Sequence, residues 1–254
     1  MSGRMIFASD YDGTLSQNGG ISDRTLAAIA DFRAAGGLFG VVTGRSVGGS
    51  EFLFDAVSAG LDFVLCGNGA VFIAPDKSRS AFREYPAAVM RDMWRFACDA
   101  SSSGLGPQSV DESLWIETSD PAGGEKVEGF ISRHDRVFQC NMAFRTSEDA
   151  AFAAAAINER FGDTVHALQN GGSVDIPGAG VDKAYGVRRL AGIFGVDEDA
   201  LFAAGDQMND YAMVAAFRGF AMEHAPEKLR LAARHTVREV GDALEMIMRG
   251  DFKE

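Results

Sequence analysis

Met5-Ile6-Phe7-Ala8-Ser9-Asp10-Tyr11-Asp12-Gly13-Thr14-Leu15 is the stretch on which the reading of this chain turns. Its apolar start predicts a buried strand, and the run stops at two carboxylates, Asp10 and Asp12, spaced by two residues. Side chains at i and i+2 leave the same face of a strand, so the pair is expected to project together past its end. Gly13 lets the chain turn away at once. Two such carboxylates repel each other unless a cation sits between them or one holds a proton. The stretch therefore points to a metal or acid–base centre, the alternative being an ordinary polar turn built of Asp and Gly.

The segments that follow repeat the pattern of strand and helix. Ser22 suits the N-cap of an amphipathic helix carrying Leu26, Ile29 and Phe32, with Gly36 as its stop. A second strand, Leu38 to Val42, ends in Thr43-Gly44-Arg45-Ser46, after which a helix is expected to run to about Gly60. A third, Asp62 to Cys66, ends in Gly67-Asn68-Gly69-Ala70. This alternation predicts an α/β fold, a doubly wound, Rossmann-like parallel sheet. A hairpin around Pro75-Asp76-Lys77 then leads out of it. A second α/β unit follows, with helices at 86–103, 125–133 and 148–161, strands at 113–117 and 137–144, and short strands near Val165 and Val174. From Val181 the first pattern returns: helix 182–194, strand Ala200 to Ala204, Gly205-Asp206-Gln207-Met208-Asn209-Asp210, strand Phe220 to Met222, and closing helices near 226–233 and 240–249. The expected organisation is a core of 1–81 and 178–254 with an inserted α/β cap domain at 82–177.

With 254 residues, 46% of them hydrophobic, the chain can bury a proper core. A net charge of −12 argues against nucleic acid or anionic lipid as a general partner. Cys66, Cys98 and Cys140 follow no metal-binding spacing and are expected to be buried thiols in a reducing cytosol. No apolar segment of signal-peptide length precedes Asp10 and no run is long enough to span a bilayer, so a cytoplasmic protein without a membrane partner is expected, as monomer or homodimer.

Ligands of open parallel sheets bind at the carboxyl ends of the strands. That rule gathers Asp10, Asp12, Thr43, Asn68, Asp206, Asn209 and Asp210 at one edge, with Lys183 opening a helix nearby. Carboxylates, amides, a hydroxyl and one lysine would make an oxygen-rich cage for Mg²⁺ and a phosphate. Taken singly each residue has a plainer explanation: Thr43 and Asn68 as caps, Lys183 as a surface lysine, Asp206 and Asp210 as loop and helix-start acids. Those explanations do not account for all of them meeting at strand ends.

Asp10-Tyr11-Asp12-Gly13-Thr14, Thr43-Gly44-Arg45, Asp182-Lys183 and Gly205-Asp206-Gln207-Met208-Asn209-Asp210 resemble, in order, the four motifs of the haloacid dehalogenase superfamily. The insert, with Gly67-Asn68-Gly69-Ala70 ahead of it, resembles the cap of the Cof-like sugar-phosphate phosphatases. The resemblance spans nearly the whole chain. It implies a Mg²⁺-dependent phosphomonoesterase acting on a small phosphorylated metabolite. Asp10 would be the nucleophile forming an aspartyl-phosphate, and Asp12 the acid that protonates the leaving oxygen and then deprotonates water. Thr43 and Lys183 would contact the phosphoryl group. Asp10, Asp206 and the main-chain carbonyl of Asp12 would hold the metal, with Asn209 and Asp210 orienting its water shell and Lys183. Gly44, Arg45, Asn68 and Asn209 are the expected substrate contacts, with Arg45 alternatively a helix-end charge.

Two departures stand out: Glu223-His224-Ala225 replaces a Gly-Asn-Ala step usual in that branch, and Tyr11 replaces an aliphatic residue. His224 is given no catalytic role. A phosphomutase of the same fold would need a cap that holds a bisphosphate, and Arg83, Arg91, Arg133, Arg136 and Arg145 form no evident cluster. A non-catalytic phosphometabolite-binding protein is the third reading, disfavoured by the intact set of nucleophile, acid, lysine and metal carboxylates. Trp115, Gln139 and Asn141 are the cap residues considered as leaving-group contacts.

Overall fold

Ile6–Ser9 forms a strand with all of its residues buried, as a continuous apolar run covered on both faces requires. The structure is a computed structural model and describes residues 4–252. Ile6–Ser9 lies near the middle of the larger sheet, paired in parallel with Leu38–Val42 on one side and Leu201–Gly205 on the other. Among the described residues that sheet runs His235–Val237, Arg218–Met222, Leu201–Gly205, Ile6–Ser9, Leu38–Val42, Phe63–Cys66, Val71–Ile73, Arg79–Ala81. The first six are mutually parallel, Val71–Ile73 runs antiparallel to Phe63–Cys66, and Arg79–Ala81 runs antiparallel to Val71–Ile73 in turn. The expected doubly wound sheet is thus observed, and its strand order reverses beside Ile6–Ser9, where such folds open a crevice.

Helices cover both faces and are stopped by chemistry legible in the sequence. Ser22 accepts from the Thr25 amide at 3.1 Å and starts Asp23–Ala34. Asp182 accepts from the Tyr185 amide at 2.7 Å and starts Lys183–Phe194, which ends on Gly195 at φ 66°. This second helix lies against the Gly67–Gly69 turn, where a Cβ on Gly186 would stand 2.5 Å from the Gly69 Cα. Only two glycines allow that approach.

Between Ala81 and Val181 the chain builds a second antiparallel sheet, ordered Leu168–Asn170, Ser173–Pro177, Gln139–Ala143, Gly104–Gln108, Ile116–Glu117. Alternation divides its faces. Cys140, Met142, Val174 and Ile176 are buried in an apolar cluster with Met93, Phe130 and Ile157 from three helices. The opposite face carries Gln108, Gln139, Asn141, Ser173 and Asp175, and Asn141 pairs in register with Asp175. Phe138 departs from this cluster. It packs with the first sheet's core, against Gly67.

Several expectations need correction. The segment after Ser46 holds only a short helix, Leu53–Ala56, because the Gly48-Gly49 pair favours turns over helix. Helix 86–103 shortens to a 3₁₀ turn and Met90–Asp99. The residues after it form a strand, Gly104–Gln108, whose Gly and Pro content had hidden it. Strand 137–144 is broken at Phe138. Only Ile116–Glu117 of 113–117 is strand. Cys98 is exposed, while Cys66 and Cys140 are buried; all three are free thiols. No helix among the described residues is long and apolar enough to cross a membrane.

Candidate active site

The strand Ile6–Ser9 delivers Asp10 one residue past its end, where the Asp10 amide still donates to the Ala204 carbonyl at 2.9 Å. Gly13 at φ 89° then curls the chain back, and the Leu15 and Ser16 amides donate to the carbonyls of Asp10 and Tyr11. Because the turn begins so early, Asp10 and Asp12 do not share one environment as i and i+2 of a strand would. Asp10 is buried against Lys183, whereas Asp12 is exposed and forked by Arg45. Both still border the same cavity of about 230 Å³.

Lys183 is fully buried and donates to Asp10 Oδ1 and Asp210 Oδ1, each at 2.5 Å. The other oxygen of Asp210 accepts from the amides of Asp206 and Gln207, both at 2.9 Å. These three bonds hold Asp210 on both oxygens and fix the Gly205–Asp210 loop. Asp206 accepts from Thr14 Oγ1 at 2.7 Å and Gln207 Nε2 at 3.1 Å, and His224 Nε2 stands 3.6 Å from its Oδ2. Gly13 has no side chain because a Cβ there would lie 2.5 Å from Asp206 Oδ2.

One buried lysine thus faces three buried acids. Burial, with repulsion from Asp210 and Asp206, pushes the Asp10 carboxyl up to about 7 despite the pull of Lys183. Burial disfavours the Lys183 ammonium too, but the charges of Asp10 and Asp210 outweigh it and raise its pKa above the usual lysine value. Oxygens of Asp10, Asp206 and Asp210 lie within 4.8 Å of one another, and the buried Asn209 Oδ1 has no hydrogen-bond partner. Excess negative charge, an all-oxygen donor set and an orphaned acceptor fit a small hard divalent cation.

Arg45 grips Asp12 through Nε at 2.8 Å and a terminal nitrogen at 2.7 Å, while its guanidinium lies 5.6 Å from the Tyr11 ring centre and 5.5 Å from that of Phe52. Thr43 and Gly44, at the end of the second strand, border the cavity beside it. Asn68 does not line the cavity. It is buried, and its amide nitrogen donates to Gln139 Oε1 at 3.1 Å and Asp175 Oδ2 at 3.0 Å. Gln139 in turn donates to the Gly44 carbonyl at 2.8 Å. Asn141 borders the cavity; Trp115 does not line it, its ring packing over Gly104 and Gly106 beside Asn141.

Asn170, Ser173, Asp175 and Gln207 also line the cavity without having been expected there. Gln207 adjoined a recognised motif. For Asp175 the available signal was an acid inside the apolar strand Ser173–Pro177, close before Asp182-Lys183.

A parallel sheet carrying an acid triad around one buried lysine at its carboxyl edge, with a second α/β layer laid over it, defines a capped hydrolase of the α/β class. The chain matches the family model of haloacid dehalogenase-like hydrolases over residues 7–93 and 108–243, and it belongs to that family. It is 26% identical over 244 residues to the 5-amino-6-(5-phospho-D-ribitylamino)uracil phosphatase YbjI of Escherichia coli (strain K12), covering 91% of this chain and 89% of that one. Solved structures of similar fold include BT1666, a haloalkanoate-superfamily phosphatase of Bacteroides thetaiotaomicron, at 21% identity and a TM-score of 0.79, covering 98% of this chain and 96% of that one. The subclass IIB sugar phosphatase BT4131 superposes with a TM-score of 0.76 at 18% identity, covering 98% and 100% of the two chains.

Proposed function

We propose that this phosphatase is a Mg²⁺-dependent phosphomonoesterase for a small metabolite with a sugar-like leaving group, working through an aspartyl-phosphate on Asp10. The observation that carries the reading is the Lys183 ammonium shared between Asp10 and Asp210. It leaves the second Asp10 oxygen available for attack and keeps Asp10 buried in one position. Asp10, Asp206 and the main-chain carbonyl of Asp12 would hold the ion, with Asn209 and Asp210 around it. When bound, the ion supplies positive charge that neutralises the phosphoryl oxygens and lets one anion approach another.

Asp10 then forms the new P–O bond as the ester oxygen leaves. Lys183 offsets the charge of both Asp10 and the phosphoryl group, and the Thr43 hydroxyl donates to a phosphoryl oxygen. Asp12, entering the step as the carboxylic acid with a proton drawn from solvent, protonates the leaving oxygen and then, as the carboxylate, takes a proton from the water that cleaves the aspartyl-phosphate. To do so it must leave its fork with Arg45, whose guanidinium is then free for the phosphoryl group. Residues 82–177 serve as the cap that excludes water and selects the leaving group.

The insert's contributions to the cavity are Asn141, Asn170, Ser173 and Asp175, none of them cationic. This disfavours a phosphomutase, which must hold a second phosphate. The named substrate of the Escherichia coli relative, a phosphorylated ribityl compound, agrees with a polyol leaving group. Inorganic phosphate release from sugar, polyol and glycerate phosphates and mononucleotides, with Mg²⁺ and with EDTA, tests the reading. Mg²⁺-dependent release from sugar or polyol phosphates is expected. Phosphoryl transfer between hydroxyls without release, or full activity in EDTA, overturns it.

A further inference from the structure

We infer that Asp175 is the residue that sets leaving-group specificity, accepting hydrogen bonds from hydroxyls of a neutral polyol or sugar and turning away leaving groups that carry an anion. The inference rests on the phosphatase reading. Asp175 reaches the cavity from the insert although its exposure is only 6%, and it sits in a strand otherwise apolar at Val174, Ile176 and Pro177. A carboxylate is costly to bury, so its position calls for a purpose beyond packing.

Its Oδ2 is held by the Asn68 amide at 3.0 Å and presses so close to Gly44 that a Cβ there would stand 2.6 Å away. Each carboxylate oxygen carries two acceptor sites, so the Asn68 bond and the Asn170 side chain beside it still leave acceptor sites for a ligand in the cavity Asp175 borders. Among the described residues the single cation lining that cavity is Arg45, whose fork Asp12 holds at rest and the transferring phosphoryl group would take up in the proposed reaction. An arriving second phosphate or carboxylate would therefore meet Asp175 with nothing to offset the repulsion, whereas hydroxyls could donate to it.

The test compares kcat/KM of glycerol 3-phosphate, ribitol 5-phosphate, 3-phosphoglycerate and p-nitrophenyl phosphate in the wild-type enzyme and in Asp175→Asn. Wild type should use glycerol 3-phosphate at least about tenfold better than 3-phosphoglycerate, which differs by its carboxylate. Asp175→Asn should lower the ratio of ribitol 5-phosphate to p-nitrophenyl phosphate by roughly 10- to 100-fold, mainly through KM, the size expected for a hydrogen bond to a charged group. It should also raise relative use of 3-phosphoglycerate. Equal loss on every substrate would make Asp175 only a tie between insert and core and overturn the inference. So would wild-type indifference between glycerol 3-phosphate and 3-phosphoglycerate, a comparison that needs no variant. Absence of Mg²⁺-dependent hydrolysis of any substrate, p-nitrophenyl phosphate included, would instead bring down the phosphatase reading and the inference with it.

Discussion

Lys183 Nζ lies 2.5 Å from Asp10 Oδ1 in a pocket that leaves the lysine no solvent exposure. The two residues are 173 positions apart in the chain, so folding alone makes the pair. Replacing the lysine strands Asp10 and Asp210 without a cation, and breaking a buried pair from one side costs about 3–5 kcal/mol. Lys183→Met should therefore melt markedly lower than wild type in EDTA and lose roughly 10²–10³-fold in phosphate release. Thermal melts and a phosphate assay check this; a variant that kept both stability and turnover would remove Lys183 from the site.

Asp10 gives the metal-free protein a pH dependence of definite sign. Burial holds its pKa at about 7 in the folded protein against an ordinary value of 3.8, so between those values the folded state binds the extra proton. The Asp10 contribution to stability is then greatest at low pH, declines as pH rises from about 3.8 towards 7, and changes little above. Melting temperatures in EDTA across that window should fall more steeply for wild type than for Asp10→Asn. Added Mg²⁺ should flatten the slope, since the ion favours the ionised carboxylate. Identical slopes for the two proteins would show that Asp10 titrates normally.

On the proposed mechanism, with Asp10 as nucleophile and Asp12 as acid, the two aspartates of the opening motif should fail in different ways. Asp10→Asn lacks the attacking anion, so all substrates lose turnover and no phosphoenzyme is trapped. Asp12→Asn keeps the nucleophile but loses a proton donor worth roughly 10²–10⁴-fold towards a sugar alkoxide. With p-nitrophenyl phosphate the phenolate leaves unaided and only the water step is impaired. Rapid mixing should then show a phenolate burst from Asp12→Asn. A burst from Asp10→Asn would reverse the roles.

Gly186→Ala should be harmful although it lies in a helix, where alanine is ordinarily the better residue. The new Cβ would stand 2.5 Å from the Gly69 Cα and 2.8 Å from the Gly69 carbonyl oxygen. Overpacking of this kind costs about 1–3 kcal/mol. Because the same helix begins with Lys183, the shift should reduce activity as well as melting temperature. Gly192→Ala on the same helix meets nothing within 4 Å and serves as the control that should melt no lower than wild type.

Local sequence determined the elements whose signals are local: the apolar run ending at Asp10, the Ser22 and Asp182 caps, the alternation that makes a doubly wound sheet. It also determined which side chains gather at the carboxyl edge of that sheet, because strand ends of a parallel sheet share one edge whatever the loops do. Where local signals conflicted, the reading went astray. Gly48-Gly49 undid the helix expected after Ser46, and Gly104–Gln108 became a strand in spite of Pro107, because neighbouring strands supply partners that propensity cannot anticipate.

Tertiary structure alone decided the surroundings of each acid: Asp10 buried on Lys183, Asp12 exposed on Arg45, Asp210 held by Lys183 and two amides. Asn68, read from sequence as a substrate contact, spends its amide on Gln139 and Asp175 from the insert. For Asp175 the sequence offers only an acid in an apolar strand; the partner that ties it to the site, Asn68, lies 107 positions away. Residue type and spacing state what a side chain can do. Which neighbour takes up its hydrogen bonds and charge depends on contacts between distant segments, and those exist only once the second sheet has closed over the first.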